Sequence, residues 1–181
     1  MSEQASVQTA ILGGGCFWCL EAVFEQMRGV RQVTSGYCGG HLPDPSYEAV
    51  CRGDSGHAEV VSIEFDSGIV SYRELLEVFF AIHDPTTLNR QGNDVGSQYR
   101  SVIFYADETQ RAEAASLIAA LAEDRVFDDP IVTQLAPSSH FYPAETYHQG
   151  YFRGHQSQPY CAIVVAPKLS KFRQKFGNLL K

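Results

Sequence analysis

Hydrophobic and polar positions along the chain switch between two periods. An apolar run over residues 9–12 predicts a first strand. From Cys16 the apolar positions take helical spacing, with Phe17, Leu20, Phe24 and Met27 on one face. Gly29 fits the position just past a helix end. Residues 31–37 read as a second strand, and the Gly- and Pro-rich stretch 38–46 as a loop. Residues 57–66 are the clearest strand. Their parity puts Glu59, Val61, Ile63 and Phe65 on an apolar face and Ala58, Val60, Ser62, Glu64 and Asp66 on the other. A carboxyl drawn among apolar neighbours has its pKa raised; one at a strand end simply reaches water. Both readings of Glu59 stand at this point.

Ser71 and Glu74 have the spacing of a capping box. The helix behind them carries Tyr72, Leu75, Leu76, Phe79, Phe80 and His83 in one stripe and stops before Asp84-Pro85. Residues 86–100 show no clear period. A loop of that length held tightly between apolar elements points to function. Residues 101–105 read as a strand, and Asp107 and Glu108 open a helix reaching Glu123. A strand follows over 131–135, then an aromatic-rich segment over 141–152 with a short helix. Residues 160–165 read as an extended edge segment. Pro167 opens a last helix with Leu169, Phe172 and Phe176 on one face. The alternation of strands and helices predicts an α/β or α+β fold. One catalytic domain over 1–181 is expected, with a flexible N-terminus over 1–8 and a basic C-terminal helix over 166–181.

Composition narrows the function classes. With 181 residues the chain is long enough for one domain with a substantial core. A net charge of −7 argues against wholesale nucleic-acid binding. No apolar run approaches the ~20 residues of a membrane span. Residues 1–8 lack the basic start and apolar run of a secretory signal, so the cytoplasm is the expected compartment. The tail lysines and arginine, Lys168, Lys171, Arg173, Lys175 and Lys181, read as a solvated helix face. The five cysteines, Cys16, Cys19, Cys38, Cys51 and Cys161, are an odd number, which argues against a disulfide framework. Cys16-x-x-Cys19 has no second ligand pair at zinc spacing.

The chemistry concentrates where Gly13-Gly14-Gly15 meets Cys16. Unpaired N–H groups at a helix start carry partial positive charge and favour a thiolate there. Three chemistries fit these parts. Cys16 can attack an electrophilic sulfur or carbonyl, with Glu59 and tyrosines as acids. Cys16 and Cys19 can exchange disulfides as a dithiol. Cys16 can also pair with one of His57, His83, His140 or His148 for acyl transfer. Phe17 and Trp18 look like the wall of an apolar pocket, or simply core.

The segment GCFWC over 15–19, followed by EAVF, resembles the active-site signature of A-type peptide methionine sulfoxide reductases. Further blocks match in order: GYCGG over 36–40, YEAVC over 47–51, GHAEVV over 56–61, FFAIHDPT over 79–86, NRQGNDVGSQYR over 89–100, and the aromatic block over 141–151. The resemblance spans residues 9–165. It implies a two-layer α/β sandwich with a ferredoxin-like β-α-β-β-α-β core and extra C-terminal segments. It implies reduction of methionine-S-sulfoxide, free or in oxidised proteins under repair. No bound cofactor is implied; thioredoxin or another dithiol is the external reductant. A monomer without nucleic-acid or membrane partners is expected. Carried onto matching positions, Cys16 is the nucleophile and Glu59 protonates the sulfoxide oxygen, helped by Tyr47 and Tyr99. Phe17 and Trp18 hold the substrate methyl, and Asp94 and Tyr160 belong to the substrate site.

The chain departs from the family's common pattern in two places. Cys19 stands where many relatives carry glycine, and a single late Cys161 precedes a basic helix instead of a Gly-rich tail with two cysteines. Cys161 aligns with the first tail cysteine and is the favoured resolving thiol; Cys19 is the alternative. Cys38 and Cys51 read as bystanders. The runner-up function is a thioredoxin-like disulfide oxidoreductase using Cys16 and Cys19. One pair of assays separates the two: the protein is expected to reduce methionine-S-sulfoxide with dithiothreitol and to leave insulin disulfides intact, and the opposite pattern identifies the oxidoreductase.

Overall fold

A computed structural model describes residues 6–181. In chain order the elements are β1 (Val7–Gly13), α1 (Phe17–Phe24), β2 (Val30–Cys38), α2 (Tyr47–Cys51), β3 (Ala58–Asp66) and α3 (Tyr72–Ile82). Two short strands follow, β4 (Arg90–Gln91) and β5 (Asp94–Val95), then β6 (Val102–Tyr105), α4 (Glu108–Glu123), β7 (Gln134–Pro137), β8 (Tyr142–Pro143), α5 (Tyr151–Gly154) and α6 (Ala166–Lys175). The main sheet has the order β7-β6-β1-β3-β2-β8. Its four central strands pair antiparallel as β6-β1-β3-β2, with α1 and α3 as crossovers, which is the expected ferredoxin-like core. β7 extends one edge parallel to β6, and β8 extends the other antiparallel to β2. No described helix is long and apolar enough to cross a membrane.

The parity of β3 decides which groups enter the core. Val61, Ile63 and Phe65 point into the layer of helices and meet Leu75, Leu76 and Phe79 of α3. Each such side chain contributes about 1.5–3 kcal/mol when fully buried. Glu59 shares that face and is 1% exposed, while Glu64 on the other face is exposed. The opposite face carries a smaller cluster around Val60, Val102 and Phe104, covered by Phe141 and Ala136.

Helix α1 is the centre of packing. Every residue in it except Trp18 is buried. The sheet lies on one side, and α5, α6 and residues 161–165 lie on the other. Glu21 is therefore interior. Burial pushes its carboxyl pKa up, and the Gly150 N–H and Ser35 hydroxyl, the latter at 3.2 Å, satisfy it. The buried carboxyl so joins α1 to β2 and to the start of α5.

Residues 86–100 are an ordered excursion. β4 and β5 form a two-stranded hairpin, and the Gly96 N–H closes it onto the Asn89 carbonyl at 2.9 Å. Arg100 anchors its end, donating to the Ser97 carbonyl at 2.9 Å and the Gly56 carbonyl at 3.1 Å. This holds Asp94 and Tyr99 beside the start of α1.

Four expectations need correction. Residues 160–165 are not extended: Cys161–Val165 is a turn of π-helix running directly into α6. The β-branched residues there suggest a strand, but Cys161 and Val165 are both buried in the core that also holds α1, and that packing decides. The strand expected at 131–135 begins only at Gln134, because its register follows β6, with Val102 opposite Gln134. Gly29 is not the residue after α1. The helix ends at Phe24, and Gly29, at φ +90°, lies in the turn into β2. Of the terminus expected to be flexible, Val7 and Gln8 already pair in β1 against Asp66 and Phe65, and residues 1–5 lie outside the described residues.

The capping box is present, with the Ser71 hydroxyl accepting from the Glu74 N–H at 3.1 Å and the Glu74 carboxylate from the Ser71 N–H at 2.9 Å. Ser71→Ala is expected to lower the unfolding free energy by about 1 kcal/mol, measured as a shift in urea midpoint at unchanged slope.

Candidate active site

Strand β1 ends in glycines because its neighbours leave no room. A Cβ on Gly14 would meet the rings of His83 and Phe79 at 3.0 Å. Gly15 turns the chain at φ +96°, and a Cβ there would meet the Gln91 side chain at 2.6 Å. Cys16 follows in extended conformation as the N-cap of α1, 9% exposed.

Glu59 reaches the same helix start from β3. Its Oε1 accepts the Phe17 N–H at 3.2 Å, while Oε2 is buried without a partner among the described residues. Burial pushes the Glu59 pKa up to about 8; the Phe17 N–H opposes the rise, and the charges of Asp94 and Cys19 add to it. An unpartnered buried oxygen is where the proton of a neutral carboxylic acid would sit.

The two thiols differ from the sequence expectation. Burial raises the Cys16 pKa well above the ordinary value, and Cys19 and the charge of Glu59 push the same way. The Trp18 N–H at the helix start opposes this and loses. Cys19 is the easier of the pair to ionise. The Cys16 thiol hydrogen-bonds to it, burial opposes, and the Lys168 ammonium and Tyr160 hydroxyl also favour its charge. The helix start therefore does not by itself give a resting thiolate at Cys16.

Other expected residues surround this pair. Tyr47 and Tyr99 are held neutral, by burial first and the charge of Glu59 second. Tyr160 donates to Asp94 Oδ2 at 2.7 Å. Cys16 opens into a cleft of about 320 Å³ walled by Gln91 and Asp94 of the hairpin and by Tyr160, Val164 and Lys168 of the C-terminal segment. A larger groove of about 550 Å³ adjoins it, sharing Gln91 and Lys168, but holds no cysteine. Phe17 is fully buried, with its ring centroid 5.7 Å from that of Tyr37. Trp18 is half-buried and stacks on Tyr151 at 3.8 Å. Cys161 is buried, its thiol donating to Gln158 Oε1 at 3.5 Å, and the one other thiol it feels is Cys19. Cys38 is buried on the far face of the sheet, and Cys51 is exposed beside Tyr47.

The structure adds residues that sequence reading did not assign. His148 is buried and kept neutral by its burial. Its Nδ1 accepts the Trp18 indole N–H at 3.2 Å, and its ring lies 4.5 Å from that of Tyr47. Glu145 accepts from the Tyr37 hydroxyl at 3.0 Å and the Tyr47 N–H at 3.1 Å. The sequence reading offered His148 only as one of four possible acyl-transfer partners of Cys16, and for Glu145 the only signal was aromatic density over 141–152. Lys168 was read as solvated, yet it is half-buried in the cleft wall.

Two alternative chemistries lose their basis. No histidine is among the groups acting on the Cys16 thiol. His83 is occupied by the Phe79 carbonyl and the Ser101 hydroxyl, and His57 by the Gly40 N–H and Leu42 carbonyl. The antiparallel ferredoxin-like sheet is not the scaffold of a thioredoxin-like dithiol.

Residues 8–180 match the family model described as peptide methionine sulfoxide reductase. The chain belongs to the peptide methionine sulfoxide reductase family. It is 58% identical over 175 residues to the peptide methionine sulfoxide reductase MsrA of Chromobacterium violaceum, covering 97% of this chain and 99% of the relative. It is 56% identical over 185 residues to that of Ralstonia nicotianae, covering 100% of this chain and 97% of the relative. The reduced form of Mxr1 from Saccharomyces cerevisiae superposes with a TM-score of 0.79 at 32% identity, over 91% of this chain and 94% of that one. Within this reductase family member, the blocks read from sequence converge on one end of the central sheet.

The raised Glu59 pKa makes a stability prediction. The folded state holds this proton from the ordinary carboxylate range, near 4.5, up to about 8, whereas the unfolded chain releases it near 4.5. The contribution is full below that range and is lost as pH rises through 8. Glu59→Gln cannot titrate, so its stability relative to wild type is expected to rise from pH 5 to pH 9, measured by urea unfolding at each pH.

Proposed function

We propose that this chain reduces methionine-S-sulfoxide, free or in oxidised proteins, to methionine through Cys16. The observation that carries the reading is the buried, hydrogen-bonded Glu59 carboxyl beside Cys16, with one oxygen free. A sulfoxide sulfur is a poor electrophile until its oxygen is protonated. A nucleophilic thiol and a neutral acid must therefore share one pocket, and like charges at close range disfavour ionising both. Glu59 supplies the acid. Tyr47 and Tyr99 are neutral donors facing the same carboxyl. Asp94 and Tyr160 line the open cleft; Phe17 and Trp18 keep the methyl-pocket role implied by the family resemblance, although neither lines that cleft and Phe17 is fully buried.

Cys16 sulfur bonds to the sulfoxide sulfur while Glu59 gives its proton to the oxygen. The S–O bond and the new S–S bond then break as the oxygen passes to Cys16, which ends as a sulfenic acid, and methionine leaves. The proton first held by the Cys16 thiol replaces the one Glu59 gave. Sulfur in the substrate is reduced by two electrons and Cys16 is oxidised by two.

A second thiol then expels water to form a disulfide. Where alignment of the tail points to Cys161, the geometry favours Cys19 as the first to react. Cys19 is three residues along the same helix start and is the more readily ionised. Its N–H reaches the Cys16 carbonyl at 3.1 Å. Cys161, which feels the charge of Cys19, is the next thiol in line for exchange. The electrons come from an external dithiol, for which thioredoxin is the proposed source; the yeast protein Mxr1 has been solved in complex with Trx2. No bound cofactor is needed, and the cytoplasm is the proposed compartment. A general disulfide oxidoreductase fits less well, because the antiparallel β6-β1-β3-β2 core is not a thioredoxin-like scaffold.

Cys16→Ser is expected to abolish turnover. Glu59→Gln is expected to slow the first methionine-releasing step by about 10²–10⁴-fold, the range for loss of a general acid, read by rapid quench. A slowing below tenfold would assign the proton to a tyrosine or water. After one turnover without reductant, Cys161→Ser is expected to carry a Cys16–Cys19 disulfide by mass spectrometry. A free sulfenic acid in that variant would make Cys161 the first resolving thiol.

A further inference from the structure

The cleft over Cys16 has charges of opposite sign on its two walls. Asp94 stands on the hairpin side, with one carboxylate oxygen held by the Tyr160 hydroxyl. Lys168 stands on the C-terminal side, in the first turn of α6. The residue is half-buried, and its ammonium takes part in none of the ion pairs among the described residues. The ammonium is close enough to the reacting thiols to be felt at Cys19. Holding a long cationic side chain in a cleft wall costs entropy, and among the described residues no carboxylate pairs with it directly. A ligand anion would.

Methionine sulfoxide carries its own main chain about four bonds from the sulfur. With the sulfur at Cys16, that main chain lies across this cleft, the nitrogen side meeting one charge and the carbonyl side the other. We propose that Lys168 is a specificity-determining residue that receives the α-carboxylate of methionine sulfoxide when that residue is a free amino acid or a chain terminus. Within a peptide the same ammonium meets a neutral carbonyl, and the chain continues into the adjoining groove that Lys168 and Gln91 also line. The inference rests on the reading of function above and adds a substrate preference to it.

The test compares two substrates that differ in one group, N-acetyl-methionine-S-sulfoxide and its carboxamide. The first has the carboxylate; the second does not. Wild type is expected to favour the carboxylate by about tenfold in kcat/KM, through KM, as a partly desolvated charge-assisted contact allows. Lys168→Met, which keeps the length and loses the charge, is expected to lose that preference, and Lys168→Arg to keep most of it. An equal loss on both substrates in Lys168→Met would assign Lys168 to Cys19 or to packing of α6 and overturn the inference. So would reduction of both substrates by wild type without preference. If wild type reduces neither, the reading of function fails, and this inference with it.

Discussion

A single hydrogen bond from the Phe17 N–H to Glu59 Oε1 joins the end of one strand to the start of one helix, and the site depends on it. It brings a carboxyl from β3 to within reach of Cys16 on α1. An N–H donor normally stabilises a carboxylate and lowers its pKa. Here it is outweighed by burial, and the carboxyl is pushed up to about 8. The bond therefore acts as a positioning contact, leaving the second oxygen to hold a proton. A less buried Glu59 with the same hydrogen bond would be an ionised carboxylate and no acid.

The same competition sets the thiols. A helix start and its N–H groups favour a thiolate, but their effect at Cys16 is smaller than the cost of charging a buried sulfur. Cys19, inside the helix, gains what Cys16 loses, because a thiol donor, a phenol and an ammonium converge on it. Two of those groups, Tyr160 and Lys168, come from the far end of the chain. The C-terminal segment thus closes the cleft, tunes the second thiol, and carries Cys161 behind it. Its helical form follows from packing in the same core as α1.

Much of the fold was legible in local pattern. The alternation of β3 put Glu59 on the apolar face and Glu64 on the other, and the fold decided that Glu59 is buried rather than reaching water. Ser71 and Glu74 capped their helix as their spacing required. Asp107 did the same for α4, accepting the Gln110 N–H at 2.9 Å. The misread elements were those whose local preference was weak or opposed by packing. Ile163, Val164 and Val165 suit a strand by shape, yet residues 161–165 coil so that Cys161 and Val165 face inward. The strand near residue 134 had no alternation strong enough to define its register.

The sequence by itself determined the candidate groups: a cysteine behind three glycines, a carboxylate on the apolar face of the strongest strand, and tyrosines in blocks that match one enzyme family. These are properties of residue type, spacing and parity, which neighbours in the chain define. Only the tertiary structure decided the protonation of those groups, the partner of each thiol, and the membership of His148, Glu145 and Lys168 in the site. Those are properties of charge and burial through space. They arise where strands, hairpin and C-terminal segment meet around Cys16, and no local pattern records that meeting.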